Sequence, residues 1–536
     1  MQQQHILILG GGFGGTYTAI HLEKQIKKHK LDCIISLVNR ENYFVFQPML
    51  AEVVGGSLDV LDTVNPLRKL LPKTQLYVRE IDRIDIENKQ VILAPKFTHK
   101  PYILSYDHLV LSLGNVTDFR GIAGLHEHAL PFKNLADSIA IRNQIIDVIE
   151  AASYEKDPQL KKELLTFVVG GGGYSGTEVV AEINDLCRTL VKNYPTISQE
   201  DIAIYLIHSR DHLMNNELSR SLSEYAANLL QKRGVTILFN THLASATPTE
   251  ALLDNGERIK AKTIISTVPS SPNPLIEPLP LELDKGKILT DATLLAKNQT
   301  SVWALGDCAK IPNLQAGGFC PPTAQFAIRE GKTLSYNIIA SILNKPKKEF
   351  YFKALGMMGA LGHRSAVGEV MGKFKFSGII AWLLWRAIYW AKLPGLDRKI
   401  KVALSWSLDT LFPREAVQLK AHTSSGIGQL HFEQNELIFS QGDVGDYLYI
   451  IVKGDVEIIK THEGKETILA KLGKGEYFGE MALLAQEPRQ ASVRCLTPVD
   501  VLALKKSDFG ILIANFAELK KEIEQVQHKR FNDLNN

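Results

Sequence analysis

Short apolar runs that end in glycine and pass into helical spacing dominate the first part of the chain. Ile6-Leu7-Ile8-Leu9 runs straight into Gly10, and from Thr16 to Leu22 the apolar positions take up a helical pattern. That order predicts a strand, a tight turn and a helix. It recurs where Leu165 to Val169 meets Gly170-Gly171-Gly172-Gly173 and leads towards a helix at Val179 to Ile183. Cys33 to Val38 and Ile202 to Ile207 predict a second strand behind each copy. Thr300 to Leu305 predicts a further strand, ending in Gly306-Asp307, and the stretch after Phe319 reads as a loop entering a helix. From about Gly426 short β-like runs alternate with glycine turns (Glu436 to Phe439, Tyr447 to Ile451, Val456 to Ile459), which predicts a barrel or roll.

The glycine spacing adds chemistry to this pattern. Gly10, Gly12 and Gly15 fit G-x-G-x-x-G between a predicted strand and a predicted helix, and Gly14 lies within the same loop. The first glycine allows the turn, the second lets a pyrophosphate approach the backbone, and the third lets helix pack on strand. Gly171, Gly173 and Gly176 repeat the spacing. Two such units imply two dinucleotides and electron traffic between them. A dinucleotide site usually carries Asp or Glu at the end of its second strand, on the ribose hydroxyls. Here Asn39 and Arg40 occupy that place in the first copy, and His208-Ser209-Arg210 in the second. An Arg near this position accommodates a 2′-phosphate. NADPH use, or relaxed use of NADH and NADPH, is the expectation; NADH held by other contacts stays open.

Composition narrows the class. The 536 residues suggest about three or four domains. Hydrophobic content of 45% and charged content of 22% are ordinary for a globular chain, and a net charge of +3 gives no argument for nucleic acid. The five cysteines (Cys33, Cys187, Cys308, Cys320 and Cys495) are scattered, with no C-x-x-C, so no disulfide framework, no metal site and a reducing compartment are expected. Strand one begins within about five residues of the N-terminus, which leaves no room for a signal peptide.

Four stretches together carry a family resemblance: residues 42–52 (N-Y-F-V-F-Q-P-M-L-A-E), 171–178 (G-G-G-Y-S-G-T-E), 304–309 (A-L-G-D-C-A) and 322–327 (P-T-A-Q-F-A). They resemble the two-dinucleotide-binding flavoproteins and, within them, the type II NADH dehydrogenases, the non-proton-pumping NAD(P)H:quinone oxidoreductases. The resemblance covers about residues 5–415. It implies that Gly10, Gly12 and Gly15 hold the pyrophosphate of FAD, that Asp307 takes a ribityl hydroxyl, and that Pro48 sits by the isoalloxazine. It implies that Gly171, Gly173 and Gly176 hold the nicotinamide cofactor's pyrophosphate and that Glu178 lies beside nicotinamide and flavin. Ala324 and Gln325 would line the flavin's pyrimidine edge and the quinone pocket. Glu178 can also be read as complementing its helix's positive end, and Gln325 as satisfying backbone groups at a helix start. Two departures stand out: Arg329 where many relatives carry Gln, and Ser266-Thr267-Val268-Pro269 in place of a small-small-Gly turn. No cysteine pair lies in residues 15–29, where a disulfide reductase would need one, and Cys308 and Cys320 read as apolar residues.

Phe376 to Trp390 is about 15 residues long with Arg386 inside, too short and too charged for a span, which needs about 20. Trp382, Trp385, Trp390 and Trp406 cluster here with Lys392, Arg398, Lys399 and Lys401, and Val402 to Leu408 forms a second amphipathic stretch. Aromatic and basic side chains favour an anionic membrane interface, so a monotopic anchor is expected, giving a membrane quinone a route to the flavin. A buried helical hairpin or a homodimer interface is the alternative. The corresponding location is the cytoplasmic face of the inner or plasma membrane.

Residues 475–484 and 488–493 resemble the phosphate-binding cassette of cyclic nucleotide-binding domains. Backbone N–H groups from Gly479 to Ala482 would cradle the anion, Glu480 would accept from a ribose 2′-hydroxyl, Arg489 would pair with the cyclic phosphate, and Ser492 would bond the base or phosphate region. The effector expected is cAMP or cGMP. The whole reads as an α/β chain with two Rossmann-like units. Residues 1–115 and 293–345 are assigned to FAD, 116–292 to NAD(P), 346–418 to membrane-anchor helices, and 426–530 to a β-roll cyclic nucleotide-binding domain. The expected function is NAD(P)H:quinone oxidoreduction under cyclic nucleotide control. A nucleotide sensor on a non-catalytic flavoprotein scaffold, or a reductase with another acceptor, stands against it.

Overall fold

Each glycine-ended strand lies at the centre of a five-stranded parallel sheet. In the first sheet the order is Val302–Ala304, His108–Leu111, Gln4–Leu9, Cys33–Asn39 and Gln75–Val78. In the second it is Leu130–Pro131, Thr263–Ser266, Thr166–Gly170, Ala203–Ile207 and Val235–Leu238. The computed structural model describes residues 3–95, 102–119, 121–215, 218–267, 271–412, 414, 417–418, 427–443, 447–462, 465–480 and 489–505. Val268, Pro269, Ala482 and everything past residue 505 in the expected last domain lie outside the described residues.

The strands are near-continuous apolar runs because both sheet faces are covered; Ile6, Leu7, Ile8 and Leu9 are all fully buried. In the first sheet Leu9 pairs with Val38 on one side and Leu111 on the other, so the Gly10 turn emerges between two strand ends. Trp303, on the neighbouring edge strand, is one of the largest fully buried side chains. The helix Phe13–His29 packs against the helix Ala324–Ile342. Gly331 permits this approach, since a Cβ there would meet the Gly14 carbonyl and the Thr18 amide at 3.0 Å. The two sheets and their helices belong to one unit, residues 1–95 and 101–419.

The second-copy helix begins at Tyr174, five residues ahead of the sequence expectation, because Gly173 takes the same N-terminal flanking role as Gly12. The Gly-Asp strand is shorter than expected. It stops at Ala304, and Gly306–Cys308 turns in a 3-10 helix with Gly306 at φ +70°.

After the second sheet come an antiparallel sheet (Gly356–Ala360, Ala366–Val370, Phe374–Ser377) and two helices, Gly378–Lys392 and Leu396–Leu411. Among the described residues no helix is long and apolar enough to cross a membrane. The tryptophans divide differently from the sequence expectation of an aromatic belt. Trp385 and Trp406 are buried and their rings lie 6.3 Å apart, while Trp390 is exposed. Arg398 is also buried; it donates to the Leu61 carbonyl and faces Asp62 at 3.8 Å, so it is not a headgroup ligand.

The second unit contains two four-stranded antiparallel sheets. One runs Ile427–Phe432, Val499–Lys505, Tyr447–Lys453 and Tyr477–Phe478; the other runs Leu437–Phe439, Ser492–Cys495, Val456–His462 and Lys465–Leu472. Alternating residues point inward (Ile451, Val456, Val493, Cys495, Val499 and Val501), as a half-buried sheet requires.

Candidate functional site

The two glycine loops are built alike, atom for atom in their bracing. Gly10 and Gly171 sit at φ +102° and +110°, which side chains rarely adopt. A Cβ on Gly15 would collide with the Gly10 carbonyl, and one on Gly176 with the Gly171 carbonyl. Ser112 Oγ donates to the carbonyls of Leu9 (2.8 Å) and Gly10 (3.0 Å); Thr267 Oγ1 donates to those of Gly170 (2.9 Å) and Gly171 (3.1 Å). Thr16 and Thr177 each donate back to the glycine five residues earlier. Asn39, which ends its strand, and His208, which follows Ile207 at the end of its own, both accept from the loop: Asn39 Oδ1 from Gly11 N–H at 2.9 Å, His208 Nδ1 from Gly172 N–H at 3.1 Å.

What remains open is the same in both loops. A Cβ added at Gly12 or Gly173 would meet nothing within 4 Å, and neither following helix has a capping side chain or an acid in its first turn. An uncapped helix start behind a glycine cradle that no neighbouring side chain crowds fits a pyrophosphate. Gly14 instead abuts Leu305 at 3.1 Å, which keeps the first loop close to the Asp307 turn. Arg40 and Arg210 are exposed beside the two loops.

Asp307 is half-buried, and burial raises its pKa against the pull of Lys133 and Lys287. Beside it, Glu330 is buried and accepts from Gly306 N–H at 2.8 Å. Burial pushes Glu330 up to about 8, and Asp307 adds to the rise. A carboxyl raised in the folded state binds more protons there than in the unfolded chain. Its stabilising contribution is full below about pH 4.5 and is lost towards about pH 8. Glu330→Gln keeps the acceptor for Gly306 and removes that titration. The expected result is a Tm that falls less steeply between pH 5 and about pH 8 than in the parent, measured by differential scanning fluorimetry across that range.

The strand Gly356–Ala360 is held by Gln325 at its start and by Glu178 at its end. Gln325 Nε2 donates to the Gly356 carbonyl (3.3 Å) and its Oε1 accepts from Leu355 N–H (3.2 Å). Glu178 Oε1 accepts from Ala360 N–H at 2.9 Å. Burial pushes the Glu178 carboxyl up to about 8, and Glu182 adds to this. Tyr389 reaches the same place: Glu178 helps raise its hydroxyl, and its ring meets Phe46, two residues before Pro48, edge-on at 6.0 Å. Pro48 is half-buried in the 3-10 turn Gln47–Met49, and Ala324 is half-buried at the first position of its helix. Arg329 donates to the Gln325 carbonyl at 2.9 Å and stacks on Phe352 at 4.1 Å.

A buried ionic chain adjoins this site and was not foreseen. Arg414 bonds Glu182 (2.9 Å) and Asp409 (3.4 Å); Arg386 faces Asp409 (3.6 Å) and Glu52 (3.8 Å) and stacks on Trp382 (3.9 Å). Trp406 Nε1 donates to Glu52 at 3.2 Å. Ser112, Glu330 and this chain carry no signal in the sequence, and Thr267 was legible only as a departure from a small-small-Gly turn, not as a brace. For Thr16 and Thr177 a signal did exist, since both copies read Gly-Thr at the third glycine.

In the second unit Arg489 and Glu480 are buried. Arg489 donates to the carbonyls of Gly479 (2.7 Å) and Tyr447 (2.8 Å) and lies over the Phe439 ring at 4.1 Å. Gly479 is at φ +91°, and Ser492 Oγ accepts from Gln441 N–H at 2.8 Å.

Comparison with known proteins agrees with this division. The family profile described as pyridine nucleotide-disulphide oxidoreductase matches residues 4–331, the NDH2 C-terminal domain matches 355–415, and the cyclic nucleotide-binding domain matches 429–516. Demethylphylloquinone reductase NdbB of Synechocystis is 30% identical over 75% of this chain and 95% of its own length. Type II NADH:quinone oxidoreductase Ndh of Mycobacterium tuberculosis is 27% identical over 81% of this chain and 93% of its own. The structure of NDH2 from Plasmodium falciparum in complex with NADH superposes with a TM-score of 0.71 at 18% identity, covering 77% of this chain and 99% of that one.

Proposed function

Because the chain belongs to the pyridine nucleotide-disulphide oxidoreductase family and continues into an NDH2 C-terminal domain, we propose that it is an FAD-dependent NAD(P)H:quinone oxidoreductase whose activity responds to a cyclic nucleotide. The chemistry FAD supplies when bound is acceptance of hydride from the nicotinamide and two-electron transfer to a quinone. The residues of this chain bind, align and supply protons. Gly10, Gly12 and Gly15 receive one pyrophosphate, and Gly171, Gly173 and Gly176 the other. Asp307 takes a ribityl hydroxyl. Pro48 packs by the isoalloxazine, and Ala324 and Gln325 line its pyrimidine edge and the quinone pocket. Glu178, raised to about 8, holds or releases a proton near neutral pH. The observation that carries this reading is the duplicated, uncapped glycine cradle beside a strand that holds both Glu178 and Gln325.

The test is a spectrophotometric titration of the purified yellow protein. Bleaching by NAD(P)H and reoxidation by a short-chain quinone are expected; a flavin that bleaches but is not reoxidised by quinone defeats the quinone assignment. In the second unit, Glu480 accepts from the ribose 2′-hydroxyl and Arg489 leaves backbone carbonyls for the cyclic phosphate. Regulation requires the nucleotide to bind two states unequally, so cAMP or cGMP added to the same assay should change kcat or KM.

The two C-terminal helices support docking on a lipid surface. Leu396, Ile400, Leu404, Leu408 and Leu411 recur at helical spacing and are all exposed, as are Ile379, Ile380 and Leu383. A face of this kind lies in an interface rather than across it. Burying one such side chain is worth about 1.5–3 kcal/mol. The pair Leu404→Glu and Leu408→Glu should therefore weaken co-sedimentation with anionic liposomes by about 100-fold or more, while turnover of a soluble quinone is unchanged. If the double variant instead alters the mass in solution and not liposome binding, the face joins two copies of the chain.

A further inference from the structure

Among the described residues 208–215 of the loop behind the second glycine cradle, no carboxylate is left unpaired for a ribose diol. His208 stands at the end of the strand Ala203–Ile207, where that carboxylate would be expected. Its ring is committed at both nitrogens. Nδ1 accepts from Gly172 N–H at 3.1 Å, so the proton resides on Nε2 and is donated to the His212 carbonyl at 3.0 Å. Burial, more than any other influence, pulls this imidazole below its ordinary value, so it stays neutral. Asp211 is the one carboxylate in residues 208–215, and both of its oxygens are engaged: His212 at 2.6 Å and Arg220 at 3.4 Å. Arg220 is itself shared with Glu224 at 3.1 Å. Arg210 is exposed, and its position is pinned because Thr241 N–H and Asn240 N–H donate to the carbonyls of His208 and Arg210, both at 3.1 Å.

Resting on the oxidoreductase reading above, we infer that Arg210, with Ser209 beside it, forms a 2′-phosphate subsite that makes NADPH the preferred reductant over NADH. His208 stands where a carboxylate would repel a phosphate dianion and brings no negative charge of its own, and the Arg220 guanidinium faces the Asp211 carboxylate at 3.4 Å. Arg210 then offers a planar fork of donors suited to phosphate oxygens. A charge-assisted contact of this kind is worth about 10–100-fold in affinity.

The test uses the full-length protein and needs no turnover. By isothermal titration, 2′,5′-ADP should bind about 10–100-fold tighter than 5′-ADP, and Arg210→Ala should erase the difference while leaving 5′-ADP affinity unchanged. Because Arg210 is exposed, this variant is expected to fold; unchanged flavin absorbance and Tm check it. In steady state, the ratio of kcat/KM for NADPH to that for NADH should fall by the same factor. Equal binding of both adenosine phosphates by the parent, or a ratio unmoved by Arg210→Ala, overturns the inference and leaves the oxidoreductase reading intact. A flavin bleached by neither NADH nor NADPH overturns the reading beneath it.

Discussion

Gly15→Ala should yield a colourless protein, whereas Gly176→Ala should yield a yellow one that no longer bleaches with NAD(P)H. The added methyl in the first case lands on the Gly10 carbonyl, which Ser112 Oγ holds in place at 3.0 Å. Backbone cannot yield as a flexible side chain does, so the helix Phe13–His29 must shift away from the strand Gln4–Leu9. Overpacking of this kind costs about 1–3 kcal/mol, and here the displacement falls on the cradle itself. In the second case the methyl lands on the Gly171 carbonyl, braced by Thr267 at 3.1 Å. The first sheet and the Asp307 turn are untouched, so flavin stays and reduction by nicotinamide is lost. Flavin content per chain and the absorbance change on adding NADPH separate the two results. If Gly176→Ala loses flavin and Gly15→Ala keeps it, the assignment of the two cradles is reversed.

Arg414→Ala should be among the most damaging substitutions away from the cradles. It leaves Glu182 and Asp409 buried without the guanidinium that bonds both. Removing one partner of a buried ion pair costs about 3–5 kcal/mol, most of it the uncompensated charge. Burial already pushes the Glu182 carboxyl upward, with Arg414 opposing; once Arg414 is gone the carboxyl protonates more readily. The loss of Tm should accordingly be larger at pH 8 than at pH 6. The double variant Arg414→Leu with Glu182→Leu removes both charges and should recover much of the loss, because well-packed apolar replacements of buried ion pairs are often neutral. A double variant no better than the single would mean that Arg414 acts by its shape rather than its charge.

The glycine loops were legible because their geometry forbids other residues: a positive φ at Gly10 and Gly171, and a backbone contact at Gly15 and Gly176. Their braces were not, since Ser112 lies 102 residues from the Gly10 carbonyl it holds. Glu330 lies 24 residues from the Gly306 N–H that it accepts from, a contact that only the closed fold makes. The tryptophans show the limit of pattern reading. Four in a short apolar stretch argue for an interface, yet two of them cover the buried pair of Arg386 with Glu52 and Asp409.

Sequence alone determined that two dinucleotide cradles exist, that neither has an acid at the end of its second strand, and that a β-rich domain follows. Those features are local, set by backbone sterics and by periods of two and of about 3.6 residues. Tertiary structure decided which charges are spent within the chain and which remain for ligands. Asn39, His208 and Asp211 are committed to loop and partner contacts, whereas Arg210 is exposed beside the cradle. Such contacts join residues far apart in the chain, and the burial that gives them their strength arises only when the sheets and helices close around them.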